Sequence, residues 1–178
     1  MGATPSSSTL ADGLAPTLAA GRPRVRIQVA DFDASAEIVA LRAGKPGVGA
    51  VASFIGVCRD INEGDSVAAM TLEHYPGMTE RSIEAIIDQA TERWQVLDVC
   101  VVHRVGDLLP LDQIVFVAVA AAHRGAAFAA CEFIMDYLKT QAPFWKREQT
   151  PQGARWVDAR TTDETAAARW ALPTRPTG

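Results

Sequence analysis

Two lysines, Lys139 and Lys146, flank the string Thr-Gln-Ala-Pro-Phe-Trp, and no acid lies between them. An ammonium group holds anions, and it becomes an acid, a base or an imine former when neighbours lower its pKa. Lys139 falls in the last turn of an expected helix. The plain reading there is a cation stabilised by the helix dipole by about 0.3–1 kcal/mol. Its stem would lie on the apolar stripe of Cys131 and Met135, as lysine stems usually do. Lys146 opens Lys146-Arg147-Glu148, in a segment expected to be a long loop. Charged loop residues are usually just solvated, but Phe144 and Trp145 should not both stay in water. They should fasten the segment to the body and fix Lys146, as a catalytic side chain requires.

Other basic groups complement the lysines. Ala121-Ala122-His123-Arg124-Gly125 spans an expected strand-to-helix junction. Unpaired backbone N–H groups and the positive end of the helix dipole favour an anion there. Capping of local carbonyls by His123 or Arg124 is an equal alternative. Arg59 opens a polar loop after a strand of small residues and offers a fork for carboxylate or phosphate. Arg160, near the C-terminal strand, is a weaker candidate. His103-Arg104 sits within a strand and reads as structural, as does His74. His123 and Lys139 lie sixteen residues apart on one helix, about 24 Å at the helical rise. They cannot both touch one small substrate in a single subunit. Either they serve different sites, or one site is shared between two subunits of a symmetric dimer, which is the arrangement expected here.

Composition narrows the function. The net charge of −4 argues against general nucleic-acid binding. Cys58, Cys100 and Cys131 have neither disulfide nor zinc spacing and read as buried apolar side chains in a reducing cytoplasm. Three scattered histidines give no metal-ligand pattern. GxGxxG, P-loop, GxSxG and HExxH motifs are all missing. Residues 1–23, rich in Ala, Pro, Ser, Thr and Gly, read as a disordered tail rather than a signal peptide. Residues 171–178 read as a flexible tail, leaving one domain over 24–170. No apolar run is long enough for a membrane helix.

Periodicity places strands at 24–30, 48–57, 67–75, 96–106 and 112–122, and helices at 34–44, 78–94 and 125–141. A short strand is expected around Arg155-Trp156-Val157, and 161–170 reads as helical. The strands 48–57 and 67–75 are expected to pair antiparallel around the polar loop 58–66. The fold class is therefore α+β.

The strings GDSVAAMTLEHYPGMTE (64–80), VVHRVGDLLPLDQIVFVAVAAAHRGAAF (101–128) and FIMDYLKTQAPFWKRE (133–148) closely resemble the MoaE family. That family comprises the catalytic subunits of molybdopterin synthase. The resemblance spans about residues 25 to 170. It implies an α/β hammerhead fold with an additional antiparallel β-subdomain. It also implies a central dimer carrying two copies of a small ubiquitin-like, MoaD-like sulfur carrier, and a sulfurtransferase reaction. The carrier's C-terminal thiocarboxylate delivers sulfur to cyclic pyranopterin monophosphate in two rounds, making the dithiolene of molybdopterin. Sulfur comes from the partner, so no cofactor and no metal are implied, and no cysteine need be a nucleophile. By position, Lys139 and Lys146 match the family's catalytic lysines, and Arg59 its pocket arginine after FxGxxR. His123 and Arg124 match a substrate-binding pair, Lys146, Arg147 and Glu148 a second substrate-binding segment, and Arg160 a further arginine. Some relatives carry a lysine where this chain has Val57. The resemblance implies that the two lysines flank one pocket and are left without acids between them so that thiocarboxylate and phosphate can be their counter-ions. Two other readings remain: a scaffold for a ubiquitin-like partner, and a hydrolase or transferase acting on another phosphorylated heterocycle.

Overall fold

The computed structural model describes residues 22–62, 65–66, 68–151, 153–157 and 161–171. The two expected tails fall almost wholly outside these residues, and Arg160 lies outside them too. Arg22, inside the expected N-terminal tail, is ion-paired with Glu37.

The chain order is β1 (Val25–Gln28), α1 (Ala34–Arg42), β2 (Ala50–Val57), β3 (Ile61–Asn62), β4 (Asp65–Ser66), β5 (Ala69–His74), α2 (Met78–Trp94), β6 (Val96–Arg104), β7 (Gly106–Leu108), β8 (Gln113–Ala121), α3 (Arg124–Thr140), β9 (Phe144–Thr150), β10 (Gly153–Val157) and α4 (Thr161–Ala168), ending in a 3-10 turn at Arg169–Ala171. Asp33 caps α1 by accepting from the N–H groups of Ser35 and Ala36, which satisfies two otherwise unpaired donors. Glu80 does the same for the Gly77 N–H at the start of α2.

The main sheet has the order β1-β6-β8-β2. β1 runs parallel to β6, and the remaining pairs are antiparallel. Alternation along β6 and β8 divides the core. Val99, Val101, Val117 and Val119 pack with α2 and α3, whereas Cys100, Val102, Phe116 and Ala118 join Phe32 and Leu41. Sheets buried on both faces read as continuous apolar runs for this reason. The expected stripe of α2 is buried at Ile83, Ile86, Ile87 and Ala90, with Trp94 packed alongside.

The second sheet, β10-β9-β5-β7, is wholly antiparallel. Two expectations change here. β2 and β5 do not pair: β2 pairs with β8, and β5 with β7 and β9. The intervening loop forms its own hairpin, β3–β4. β5 buries only Met70 and Leu72 on one face, against Cys58 and Leu108. An alternating strand of that kind suits a one-sided sheet. The long loop expected after α3 is instead β9. Its alternation is not apolar against polar, so period-two reading of hydrophobicity misses it.

A candidate anion and catalytic site at the ends of β2

β2 is the edge of the main sheet, and the expected site residues collect at its two ends. The eight residues of β2 separate those ends by roughly 25 Å.

At the first end, Ala50 lies opposite Ala121. The Gly49 N–H donates to the Ala121 carbonyl at 3.1 Å. A Cβ on Gly49 would sit 2.3 Å from the Ala122 carbonyl oxygen, so only glycine allows this approach. His123 is the N-cap of α3, extended at φ −132 and ψ 147, and its side chain caps nothing. The first turn of α3 contains no acid. His123 and Arg124 are exposed. With Gly49, Ala50, Ala122 and Gly125 they line an open depression of about 570 Å³. Unpaired helix N–H groups and two basic side chains suit an anion.

At the other end, the Cys58 N–H donates to the Asp112 carbonyl at 2.8 Å, and the Leu111 N–H to the Cys58 carbonyl at 2.9 Å. These bonds lock the start of the loop in which Arg59 is exposed. The Lys146 ammonium lies close enough to the Cys58 thiol to act on it electrostatically. It is itself 2.6 Å from Glu148 Oε1, and Arg155 lies 3.3 Å from Oε2. Glu148 is 1% exposed. The expectation of lysines without acid counter-ions therefore fails at Lys146. The acid is two residues further on, and strand geometry puts residues i and i+2 on one face. The same rule sends Arg147 to the opposite face, where its guanidinium lies 5.8 Å from the Trp156 ring. Thus Lys146 and Glu148 come together, and Arg147 does not join them within this chain.

The ledge between the lysines is fastened from two sides. Thr79, fully buried, donates from its hydroxyl to the Tyr75 or the Pro143 carbonyl, each within 3.2 Å, and accepts from the Tyr75 N–H. The Ser82 hydroxyl reaches the Gln141 carbonyl. Phe144 stacks on His103 with ring centroids 3.8 Å apart. Burial lowers the pKa of His103 to about 4, against a backbone bond to the Arg104 carbonyl that favours its charged form. His103 is thus structural, as expected, and neutral. Of the two expected aromatic pins only Phe144 acts as one, since Trp145 remains 47% exposed. Sequence reasoning misses Thr79, Arg155 and the His103 stack as features of the site. Arg155 carries a detectable signal, because it aligns with Glu148 once both strands are recognised.

Lys139 is exposed in the last turn of α3. α3 follows β8 directly and packs back along β8 and β2. Its last turn therefore lies toward the Arg59 end, while His123 stays at the other. The continuous helix of seventeen residues keeps the two about 24 Å apart.

Burial also raises the Cys58 thiol above its ordinary pKa, with Lys146 opposing and Asp112 and Glu148 reinforcing. Cys131 is pushed up to about 11. All three cysteines are buried and unpaired. Among the described residues no helix is long and apolar enough to cross a membrane.

The chain matches the MoaE protein family over residues 27–141. It is 67% identical over 152 residues to a molybdopterin synthase catalytic subunit of Ralstonia nicotianae, covering 85% of this chain and 86% of that one. Its fold is similar to the molybdopterin biosynthesis MoaE protein of Burkholderia ambifaria, with a TM-score of 0.74, 60% identity, and coverage of 85% of this chain and 100% of the other. It is also similar to the molybdopterin synthase structure from Staphylococcus aureus, with a TM-score of 0.71, 27% identity, and coverage of 77% and 98%. The α+β architecture, a hammerhead with an antiparallel β-subdomain, agrees with these matches, and the chain belongs to the MoaE family.

Proposed function

We propose that the chain is the catalytic subunit of a molybdopterin synthase. It moves sulfur from the thiocarboxylated C-terminus of a small ubiquitin-like subunit to cyclic pyranopterin monophosphate, and two rounds complete the dithiolene. The observation carrying this reading is a lysine fixed by a buried carboxylate and acting on Cys58, the residue before Arg59, on the scaffold of this family.

In this reading Arg59, His123 and Arg124 hold the cyclic phosphate and the pterin by charge-assisted hydrogen bonds. Lys139 lies by the thiocarboxylate, keeping it in line and stabilising charge as sulfur attacks. Lys146 gives or takes the proton as the phosphate ring opens and water leaves. Glu148 holds Lys146 rather than meeting the substrate. Arg147, and Arg160 beyond the described residues, remain candidates for substrate contact. No thiol of this chain takes part, and the buried free cysteines suit a reducing cytoplasm.

In this reading one substrate meets both His123 and Lys139, about 24 Å apart on one helix, and that needs two subunits. A twofold axis across the free edge of β2 meets that requirement. Antiparallel apposition of β2 with its copy sets the His123 end of one protomer against the Arg59 end of its partner. Phe54, Ile55 and Val57 of this edge are 40–44% exposed, and an uncovered apolar edge strand is a ready surface for another chain.

The test is to supply the thiocarboxylated partner and cyclic pyranopterin monophosphate and to look for a dithiolene product. Product formation is expected. Binding of both without product would favour a scaffold, and binding of neither would favour a different phosphorylated substrate.

A further inference from the structure

Arg155 stands in none of the positions matched to the family's site. It lies opposite Glu148 in the β9–β10 register, so its side chain leaves the sheet on the same face as Glu148 and Lys146. That face also carries Met70 and Leu72, which lie opposite Glu148 and Lys146 on β5 and pack on Cys58. The three ionic groups therefore look toward the end of β2 where Arg59 emerges. Glu148 presents one oxygen to each cation. Its own side chain is 1% exposed, whereas those of Lys146 and Arg155 are 33% and 38% exposed. A buried carboxylate thus anchors two cations, each of which keeps part of its surface toward solvent.

We propose that Arg155 is a further anion-binding residue of this site, forming with Lys146 a two-cation clamp whose strut is Glu148. The inference rests on the function proposed above and specifies how that site grips its anion. A guanidinium is a planar fork suited to paired oxygens, and anchoring on a buried group removes the rotamer freedom that an exposed arginine would lose on binding. The chemistry recognised is an anionic oxygen pair. It comes either from the phosphate of the pterin or from the C-terminal carboxylate of the partner.

Calorimetric titration of the intact protein separates these sources. One arm uses cyclic pyranopterin monophosphate, and the other the small subunit ending in an ordinary carboxylate. Arg155→Ala removes the clamp, and Arg155→Lys keeps a cation on Glu148 while removing the fork. Arg155→Lys is expected to melt like the wild type yet to bind one of the two ligands about tenfold more weakly, as the loss of one charge-assisted bond implies. Weakening in the pterin arm assigns the clamp to phosphate, and weakening in the partner arm to the tail. If Arg155→Lys binds both ligands within twofold of the wild type, the clamp is overturned and Arg155 serves only to neutralise Glu148. That outcome stands whether or not Arg155→Ala folds. A wild-type protein that binds neither ligand refutes the proposed function itself, a result distinct from an unaffected Arg155 variant.

Discussion

At the Gly49 end of β2 the cations are exposed and positioned by backbone, with a glycine pressed on a carbonyl and a helix N-terminus behind them. At the Arg59 end Lys146 and Arg155 are positioned by a side chain, the carboxylate of Glu148, which is itself buried. The first arrangement is suited to an anion without a change in its own hydrogen bonds. The second builds charge into the fold, so that activity and stability are tied together. Mutations should therefore behave differently at the two ends.

Lys146→Ala is expected to have the largest effect. Loss of a general acid or base typically slows turnover by about 10²–10⁴-fold. The same change leaves one oxygen of buried Glu148 without its cation while Arg155 keeps the other, and an unmet buried acceptor typically costs about 1–3 kcal/mol. His123→Ala should reduce turnover as well, but as an exposed substitution it should move stability by about 0.5 kcal/mol or less. Melting curves alongside product assays check the contrast. Equal destabilisation at both ends would erase it.

The next test asks whether the two ends meet across a dimer. Lys139→Ala and Arg124→Ala chains should each be inactive alone. Random mixing gives mixed dimers with one intact site each, so roughly a quarter of wild-type activity should return. No recovery above either parent would place both ends in separate functions.

Gly49→Ala probes the backbone-built end without touching a charge. The new Cβ would lie 2.3 Å from the Ala122 oxygen, and forcing an atom into a packed site costs about 1–3 kcal/mol. The strand-to-helix junction must shift, so substrate affinity should fall with stability. Lys146 chemistry should persist at saturating substrate.

His103 supplies a smaller, pH-dependent effect at the other end. It is neutral in the fold down to about pH 4, whereas an unfolded histidine protonates below about 6.5. The unfolded chain takes up the extra proton, so stability falls as pH drops from about 6.5 and levels off below about 4. The full loss is about 3 kcal/mol. Burial, the Arg104 carbonyl and the nearby His74 set the value, and Phe144 stacks on the ring. His103→Gln should flatten that part of the stability profile, as denaturant melts at pH 4.5 and 7 would report.

What the sequence alone makes legible follows the same division. The helices and apolar strands are legible because their periodicity is strong, and Asp33 caps α1 as its chemistry suggests. The basic pair at the head of α3 is legible because junction and charge coincide in sequence. The Arg59 end is legible only as a set of residues. Its organisation depends on β9, whose inward face carries Lys146 and Glu148 after Phe144, and no hydrophobic alternation marks such a strand. The pairing of Glu148 with Arg155 is a register fact, and register becomes visible only when both strands are in place.

Cys58 gives the smallest expected effect. Among the three cysteines its position is the most suggestive, since it precedes Arg59 and feels the Lys146 charge. A neighbouring ammonium often makes a thiolate. Here burial outweighs it, Asp112 and Glu148 add to burial, and the thiol pKa rises instead of falling. The side chain is 3% exposed and packs with Met70, Leu72 and Leu108. Cys58 should therefore behave as a small apolar side chain. In the native protein at neutral pH it should resist alkylation far longer than a model thiol, and become reactive on unfolding. Cys58→Ala should keep turnover within about threefold of the wild type, with a modest loss of stability from the removed sulfur. Loss of sulfur transfer by that variant, at unchanged melting temperature, would instead make this thiol part of the reaction and move the chemistry from the partner's terminus into the chain.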